Sequence, residues 1–242
     1  MKTLALLSSM PFESDHILSC LKNVRKKKLA SAIVHKGTFA GKDIILAATG
    51  IGKVNAAILS AAVMEHFRVR KIIFFGVGGA YPGAELNVGD VAVASKEIYG
   101  DEGVIDSGGW HSLKKIGIPL VESGRKKFFN EYPLSLPSLP TLYAGMIGGR
   151  SEFPFKMKAG NFVTVSSATG TMKRAKELGR RFHALCENME GAAVAHLCTL
   201  YKIPFHEIRG ISNIVGVRDR RTWNLKLAAR NCQQIVLETL HL

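Results

Sequence analysis

Apolar runs of strand length recur along the chain, at residues 3–8, 44–48 ("IILAA"), 72–75 ("IIFF"), 91–94 ("VAVA"), 162–165 and 205–211. They are too short for helices and mostly lack alternating polar residues, so both faces of the sheet they form must be covered. Helix-like segments alternate with them. "GKVNAAILSAAVMEHF" (52–67) is rich in Ala and runs into a basic turn and a strand. "NMEGAAVAHLCTLY" (188–201) leads through Ile203 and Pro204 into the next strand. Leu225, Ala228, Cys232, Ile235, Thr239 and Leu240 recur at helical spacing near the end. This alternation predicts an α/β domain with helices over a central, largely buried sheet. At 242 residues the chain reads as a single domain, 1–242, without internal repeats. The Pro- and Gly-rich stretch 130–160 reads as one long loop inside it, because strands continue afterwards.

Composition narrows the class further. Cys20, Cys186, Cys198 and Cys232 show no paired spacing, so reduced thiols are expected and no zinc site or disulfide framework is indicated. No apolar run reaches the roughly 18 residues a membrane span needs. The opening "MKTLALLSSMPFE" reads as a first strand and not a leader, since its apolar part is short and runs into Pro11 and Glu13. Together these features predict a cytoplasmic protein. The chain carries 33 Lys and Arg against 19 Asp and Glu, a formal net charge of +14. The basic residues form short scattered clusters (Arg25–Lys28, Arg68–Lys71, Arg125–Lys127, Arg180–Arg181, Arg218–Arg221) without zinc-finger spacing or an aromatic RNA-binding signature. They are expected to be solvated surface, not a nucleic-acid face, and to favour encounter with an acidic small substrate.

Ligands of open α/β sheets collect at the carboxyl ends of strands, and four such ends carry polar groups. After strand 3–8, Pro11 suits the first turn of a helix and Glu13 falls in that turn. There Glu13 either complements the helix dipole or serves as a general base toward water. In "FFGVGGAYPG" (74–83), Gly76, Gly78 and Gly79 read as a glycine turn that admits a ligand close to the backbone. Their spacing matches neither a phosphate-binding loop nor a dinucleotide fingerprint. In "ENMEGAAVAH" (187–196), Asn188 suits an N-cap and Glu190 opens a nearly all-apolar helix, so this end is buried. A buried carboxylate needs hydrogen-bond donors, and the paired hydroxyls of a sugar are suitable ones. In "HEIRGISNIVGVRD" (206–219), Asn213 follows Ser212 at the end of an apolar strand, either as turn chemistry or as a ligand group.

Taken together and in this order, these segments resemble the nucleoside phosphorylase/nucleosidase superfamily. The resemblance rests on "MPFE", "GIGKVNAA", "GVGGAYPGAELNVGD", "NMEGAAVAH" and "RGISN" and extends over nearly the whole chain. Within that superfamily, "GVIDSGGWHSL", "TVSSATGT" and "RGISNIVGVRDRRTWNLKLAA" look like the futalosine hydrolase family, relatives of the methylthioadenosine/S-adenosylhomocysteine nucleosidases. The resemblance implies a three-layer α/β/α sandwich around a central mixed sheet, a homo-oligomer (dimer or higher), and no metal or organic cofactor. It implies hydrolysis of the N-ribosidic bond of futalosine, with water as nucleophile and release of hypoxanthine, in the futalosine route to menaquinone. The competing expectations are a phosphorolytic purine nucleoside phosphorylase and a nucleosidase for 6-amino substrates such as methylthioadenosine or aminofutalosine.

Site roles carry over by position. Glu13 falls where the related nucleosidases keep the carboxylate that activates water. Glu190 falls on their ribose-hydroxyl binder, with Met189 beside it against the sugar. Gly78 and Gly79 fall in the glycine turn near ribose and base. Relatives with phosphorylase activity place an arginine just before that turn, and here the stretch is the apolar "IIFF", with Lys71 at the far end of the strand; Lys53 in "GIGK" is the one cation that keeps phosphorolysis in play. Adenine-specific relatives carry Asp where this chain has Asn213. An amide oxygen can accept from a protonated N7 while its NH2 donates to a 6-carbonyl, which matches hypoxanthine and mismatches adenine. Asn cannot itself supply a proton to the leaving base. Relatives also place a stacking aromatic at the position of Gly170, so Phe153, Phe155 or Trp223 are the candidates here, and Thr171 is expected to contact the purine. The benzoate of futalosine calls for an arginine, for which Arg218 and Arg221 are the candidates.

Overall fold

The computed structural model describes residues 3–138 and 153–241. In chain order its strands are β1 (Thr3–Ser8), β2 (Lys22–Leu29), β3 (Ala32–Phe39), β4 (Lys42–Ala48), β5 (Val69–Ala80), β6 (Val91–Tyr99), β7 (Val104–Asp106), β8 (Gly109–His111), β9 (Val121–Ser123), β10 (Lys126–Phe128), β11 (Glu131–Pro133), β12 (Met157–Thr164), β13 (Ala184–Asn188) and β14 (Phe205–Ile214). Its helices are α1 (Asp15–Cys20), α2 (Lys53–His66), α3 (Met172–Phe182), α4 (Gly191–Tyr201) and α5 (Leu225–His241). No helix among the described residues is long and apolar enough to cross a membrane.

The central sheet is mixed, with neighbours in the order β11–β6–β12–β13–β5–β1–β4–β3–β2, and β14 pairs with both β5 and β6. Parallel pairing joins β1 to β4 and β5, β5 to β14, and β12 to β6 and β13. The antiparallel contacts β13–β5 and β14–β6 then close β5, β13, β12, β6 and β14 into a ring at one end of the sheet. Successive residues of the inner strands face opposite layers, as a pleated strand requires. Leu4, Leu6, Ile44, Leu46, Ile73 and Phe75 pack with Ile17 of α1 and Cys232, Ile235 and Val236 of α5. Ala5, Leu7, Ile45, Ala47, Ile72 and Phe74 pack with Ala56 and Leu59 of α2 and Val194 and Ala195 of α4. That alternation makes the three-layer α/β/α arrangement.

Several local expectations are corrected. Residues 76–79 are not a turn: β5 continues through them to Ala80. Without side chains in the way, the glycines let the strand run on between crowded neighbours. The stretch 22–39 carried no expected strand, yet β2 and β3 form an antiparallel meander with β4. Its basic composition concealed it, because Lys22, Arg25, Lys26, Lys27 and Lys28 lie on the exposed part of an edge strand, of which only Leu29 is half-buried. Charge on such an edge discourages pairing with other chains, and this accounts for one of the basic clusters. The supposed loop 130–160 is trimmed at both ends, since β11 pairs with β6 and β12 begins at Met157. Pro140, Gly145, Gly148 and Gly149, on which that reading also drew, lie outside the described residues.

Candidate active site

The carboxyl ends of β1, β5, β13 and β14 open onto one cavity of about 400 Å³. Glu13, Gly78, Gly79, Met189, Glu190, Asn213 and Arg218 all border it, although they come from four distant parts of the chain. Glu13 ends a single 3-10 turn, Pro11–Glu13, that leaves β1. Its Oε2 accepts from the Ser9 and Met10 N–H groups at 2.9 and 2.7 Å, and its Oε1 accepts from the Val77 N–H at 2.8 Å. The carboxylate therefore satisfies N–H groups at the head of its own turn and also reaches across to β5. Gly76 leaves it room: a Cβ there would lie 2.5 Å from Glu13 Oε1. Glu13 is only 2% exposed, and burial raises its pKa against the opposing pull of Arg209 and the backbone donors, with the Glu190 charge adding to the rise. A raised carboxyl beside a cavity is a better proton acceptor than an exposed one.

Glu190 stands at the N-cap position of α4, where Asn188 Oδ1 accepts from the Glu190 and Gly191 N–H groups at 2.9 and 2.7 Å. Asn188 thus caps the helix as expected, but from the end of β13 and two residues before the cap position. Glu190 Oε1 accepts from Gly52 N–H at 3.0 Å, and its Oε2 receives Arg209 at 3.2 Å. Arg209, on β14 and almost wholly buried, is the cation beside these two carboxylates. It donates from Nε to Glu207 Oε1 at 2.9 Å and from Nη1 to the Val77 carbonyl at 3.1 Å, and packs over the Phe74 ring. Burial works against its charge, but Glu207, Glu190 and Glu13 more than offset this and raise its pKa.

Behind this cation lies a second carboxyl pair. Glu97 and Glu207 are fully buried and hydrogen-bonded to each other. Burial and the Glu207 charge push Glu97 well above the usual carboxylate range; burial raises Glu207 too, against the pull of Arg209, so the pair shares a proton beside the cation. Thr164 Oγ1 and Asn188 Nδ2 donate to Glu97 at 2.7 and 2.6 Å. A Cβ at Gly191 would overlap both carboxyls, so α4 can start here only with glycine. The network runs Glu97–Glu207–Arg209–Glu190, and it holds the Glu190 carboxylate in place from below.

Asn213, which also borders the cavity, pairs in register with Gly79 of β5. Its Oδ1 accepts from Ser212 Oγ at 2.8 Å and its Nδ2 donates to the Ile214 carbonyl at 3.2 Å. An amide has two acceptor sites and two donors, so one of each remains uncommitted. A Cβ at Gly78 would lie 2.5 Å from Cys186 Sγ, and one at Gly79 would lie 3.2 Å from Asn213 Nδ2. Both glycines are required for the close approach of β13 and β14 to β5, whatever binds above them.

The model of the phosphorylase superfamily matches residues 3–241. The chain belongs to the phosphorylase superfamily. Among its relatives in that superfamily, a futalosine hydrolase of Thermus thermophilus is 35% identical over 188 residues, 78% of this chain and 77% of the relative. A 5'-methylthioadenosine/S-adenosylhomocysteine nucleosidase of Halalkalibacterium halodurans is 27% identical, covering 98% of this chain and 97% of its own. The crystal structure of a nucleosidase of the same name from Colwellia psychrerythraea, in complex with adenine, superposes with a TM-score of 0.80 at 25% identity, over 99% of this chain and 94% of that one. This member of the phosphorylase superfamily is a nucleosidase, a hydrolase of N-glycosyl bonds.

Other expected site residues sort differently. Thr171 is not at the cavity: it N-caps α3, its hydroxyl accepting from Arg174 N–H at 3.3 Å. Phe153 and Phe155 stack on each other against the α1/α5 core, whereas Trp223 does border the cavity. Arg218 lies over the Trp223 ring at 4.9 Å, and its stem passes within 3.8 Å of where a Cβ at Gly170 would be. A side chain at 170 would thus begin in contact with this arginine. Arg221 turns away to Asp219 and is exposed. Lys53 is held by Asp101 and Glu102 at 2.6 and 3.0 Å. Arg209, Glu207, Glu97 and Glu187 were not anticipated. The available signal was Glu207 and Arg209 two apart in a strand, hence on one face, inside an otherwise apolar run.

Proposed function

We propose that this nucleosidase hydrolyses the N-ribosidic bond of futalosine and releases hypoxanthine. The observation that carries the reading is the amide at Asn213, with one donor and one acceptor uncommitted at the base end of a cavity whose sugar end holds Glu190 and Glu13. A 6-oxopurine offers a carbonyl to the free N–H and a protonated N7 to the free lone pair. A 6-aminopurine would set its NH2 against the amide NH2. The 35% identity to a futalosine hydrolase supports the same substrate.

In the proposed mechanism, Glu190 accepts from the ribose hydroxyls and places the anomeric carbon. Departure of the purine builds positive charge on the sugar ring, as in glycoside cleavage. Glu13 orients a water on the opposite face and takes its proton. Arg209 orients Glu190 through its ion pair while Glu207 balances the cation from behind. Asn213 has no proton to give, so N7 takes its proton from solvent and Oδ1 accepts the resulting N–H. Arg218, levelled over Trp223 at the cavity wall, receives the substrate carboxylate. Phosphorolysis is disfavoured by the commitment of Lys53 to two carboxylates and by the negative charge at Glu13 and Glu190.

The test is incubation with futalosine, inosine and methylthioadenosine, with and without phosphate, followed by chromatography of the released base. Hypoxanthine from futalosine at equal rates in both buffers is expected. Ribose 1-phosphate, or faster release of adenine from methylthioadenosine, would overturn the proposal.

A further inference from the structure

Glu187 borders the same cavity and takes no part in the mechanism above. It is 8% exposed, and among the described residues it has no ion-pair partner. Its Oε1 accepts from Thr169 N–H at 2.9 Å and its Oε2 accepts from Tyr81 Oη–H at 2.8 Å. Burial, then the Glu187 charge and this hydrogen bond, raise the Tyr81 pKa, so the phenol stays protonated and keeps donating. Each oxygen has one donor where a carboxylate can take two. A nearly buried carboxylate with half its acceptor sites unfilled is costly unless something in the cavity donates to it.

Sheet register says where that donor must lie. Glu187 on β13 and Asn213 on β14 both pair with Gly79 on β5, one from each side. Two inter-strand steps separate them, about 10 Å between Cα atoms, with a residue lacking a side chain between. Glu190 and Glu13 belong to the sugar end in that reading, so the part of the cavity bordered by Glu187, Asn213 and Val215, whose Cγ2 would lie 2.8 Å from a Cβ at Gly79, is the base end. A 6-oxopurine that presents its O6 and N7 edge to Asn213 has one further donor on its six-membered ring, N1–H. A 6-aminopurine has a bare lone pair at N1.

We propose that Glu187 is a specificity-determining residue that accepts a hydrogen bond from N1–H of a 6-oxopurine, with Tyr81 and the Thr169 amide holding the carboxylate in place. The inference rests on the 6-oxopurine reading of the site and adds a second, independent reader to Asn213. The carboxylate rejects adenine because its lone pairs would face that of N1, and it rejects any purine in which N1 carries no hydrogen.

Calorimetric titration with the free bases hypoxanthine, 1-methylhypoxanthine and adenine tests this without requiring turnover. The unmodified protein is expected to bind hypoxanthine roughly ten- to a hundred-fold more tightly than either of the others, the range of one hydrogen bond to a charged group. In Glu187→Gln the hypoxanthine-to-adenine ratio should shrink toward one, with most of the change in hypoxanthine affinity. The methyl series on the unmodified protein keeps the test open should that variant fold poorly. Equal binding of hypoxanthine and 1-methylhypoxanthine, or equal losses for all three bases in Glu187→Gln, would overturn the inference. So would a variant that still rejects the methylated base in full. Failure to release base from futalosine is read in the separate turnover assay and counts against the proposed reaction, not against Glu187.

Discussion

Replacing Glu13 by Gln exchanges one carboxylate oxygen for an NH2 inside a cage of donors. Two N–H groups point at Oε2 and one at Oε1. The amide can turn its oxygen to one side only. Its best orientation serves Ser9 and Met10 and sets NH2 against the Val77 N–H. One buried donor facing another costs about 1–3 kcal/mol of stability. Loss of the charge removes the attraction of Arg209 but also the burial penalty that raises the Glu13 pKa, so these two effects oppose each other. The catalytic loss is larger: removal of a general base lowers turnover by about 10²–10⁴, or about 3–5 kcal/mol in the barrier. The two effects separate experimentally. Thermal melting reads the first, and initial rates of base release at saturating substrate read the second. The unmodified enzyme should also lose activity as pH falls through the raised Glu13 pKa, above the ordinary carboxylate range, and the variant should lack that limb. Turnover within about threefold of the unmodified enzyme in a folded Glu13→Gln would remove Glu13 from the mechanism.

Other residues give further expectations. Asn213→Asp should move the preference between hypoxanthine- and adenine-releasing substrates by roughly ten- to a hundred-fold toward adenine, measured as a ratio of kcat/KM; an unmoved ratio refutes the role of the amide. Arg218→Ala should raise KM for futalosine by about tenfold and leave inosine untouched, since only the former carries a carboxylate to pair; equal effects on both would assign Arg218 to packing on Trp223. The Glu97 carboxyl is pushed well above the ordinary carboxylate range on folding, so the folded protein favours its protonated form more than the unfolded chain does. Stability should therefore fall as pH rises from that range toward the raised value. Glu97→Gln has no such proton to lose, and urea midpoints from pH 5 to 8 should show a shallower slope; an unchanged slope would place the shared proton elsewhere.

The candidate site residues legible in the sequence share one property: each stands at a break. Glu13 follows Pro11, Glu190 opens an apolar helix, and Asn213 ends a strand, so their polarity contrasts with their surroundings. Resemblance to related nucleosidases then fixed which breaks belong together. Arg209, Glu207 and Glu97 lie inside strands, where a charge reads as an interruption of a hydrophobic pattern and not as a site. Thr171 shows the opposite error. It adjoins a motif that pointed to the base, yet its hydroxyl is spent on the first turn of α3, and that choice depends only on where the helix begins.

The sequence alone determined the α/β class, the strand and helix alternation, and the positions of Glu13, Glu190 and Asn213. These follow from local periods and from chain breaks, which act over a few residues. Packing in three dimensions set Glu187 and Asn213 on either side of one glycine, bound Lys53 elsewhere, and made two buried carboxyls share a proton. Glu97 and Glu207 are far apart in the chain, and their shared proton exists because folding removes both from water beside a single guanidinium. Electrostatics and register depend on distances through space, and no local pattern encodes them.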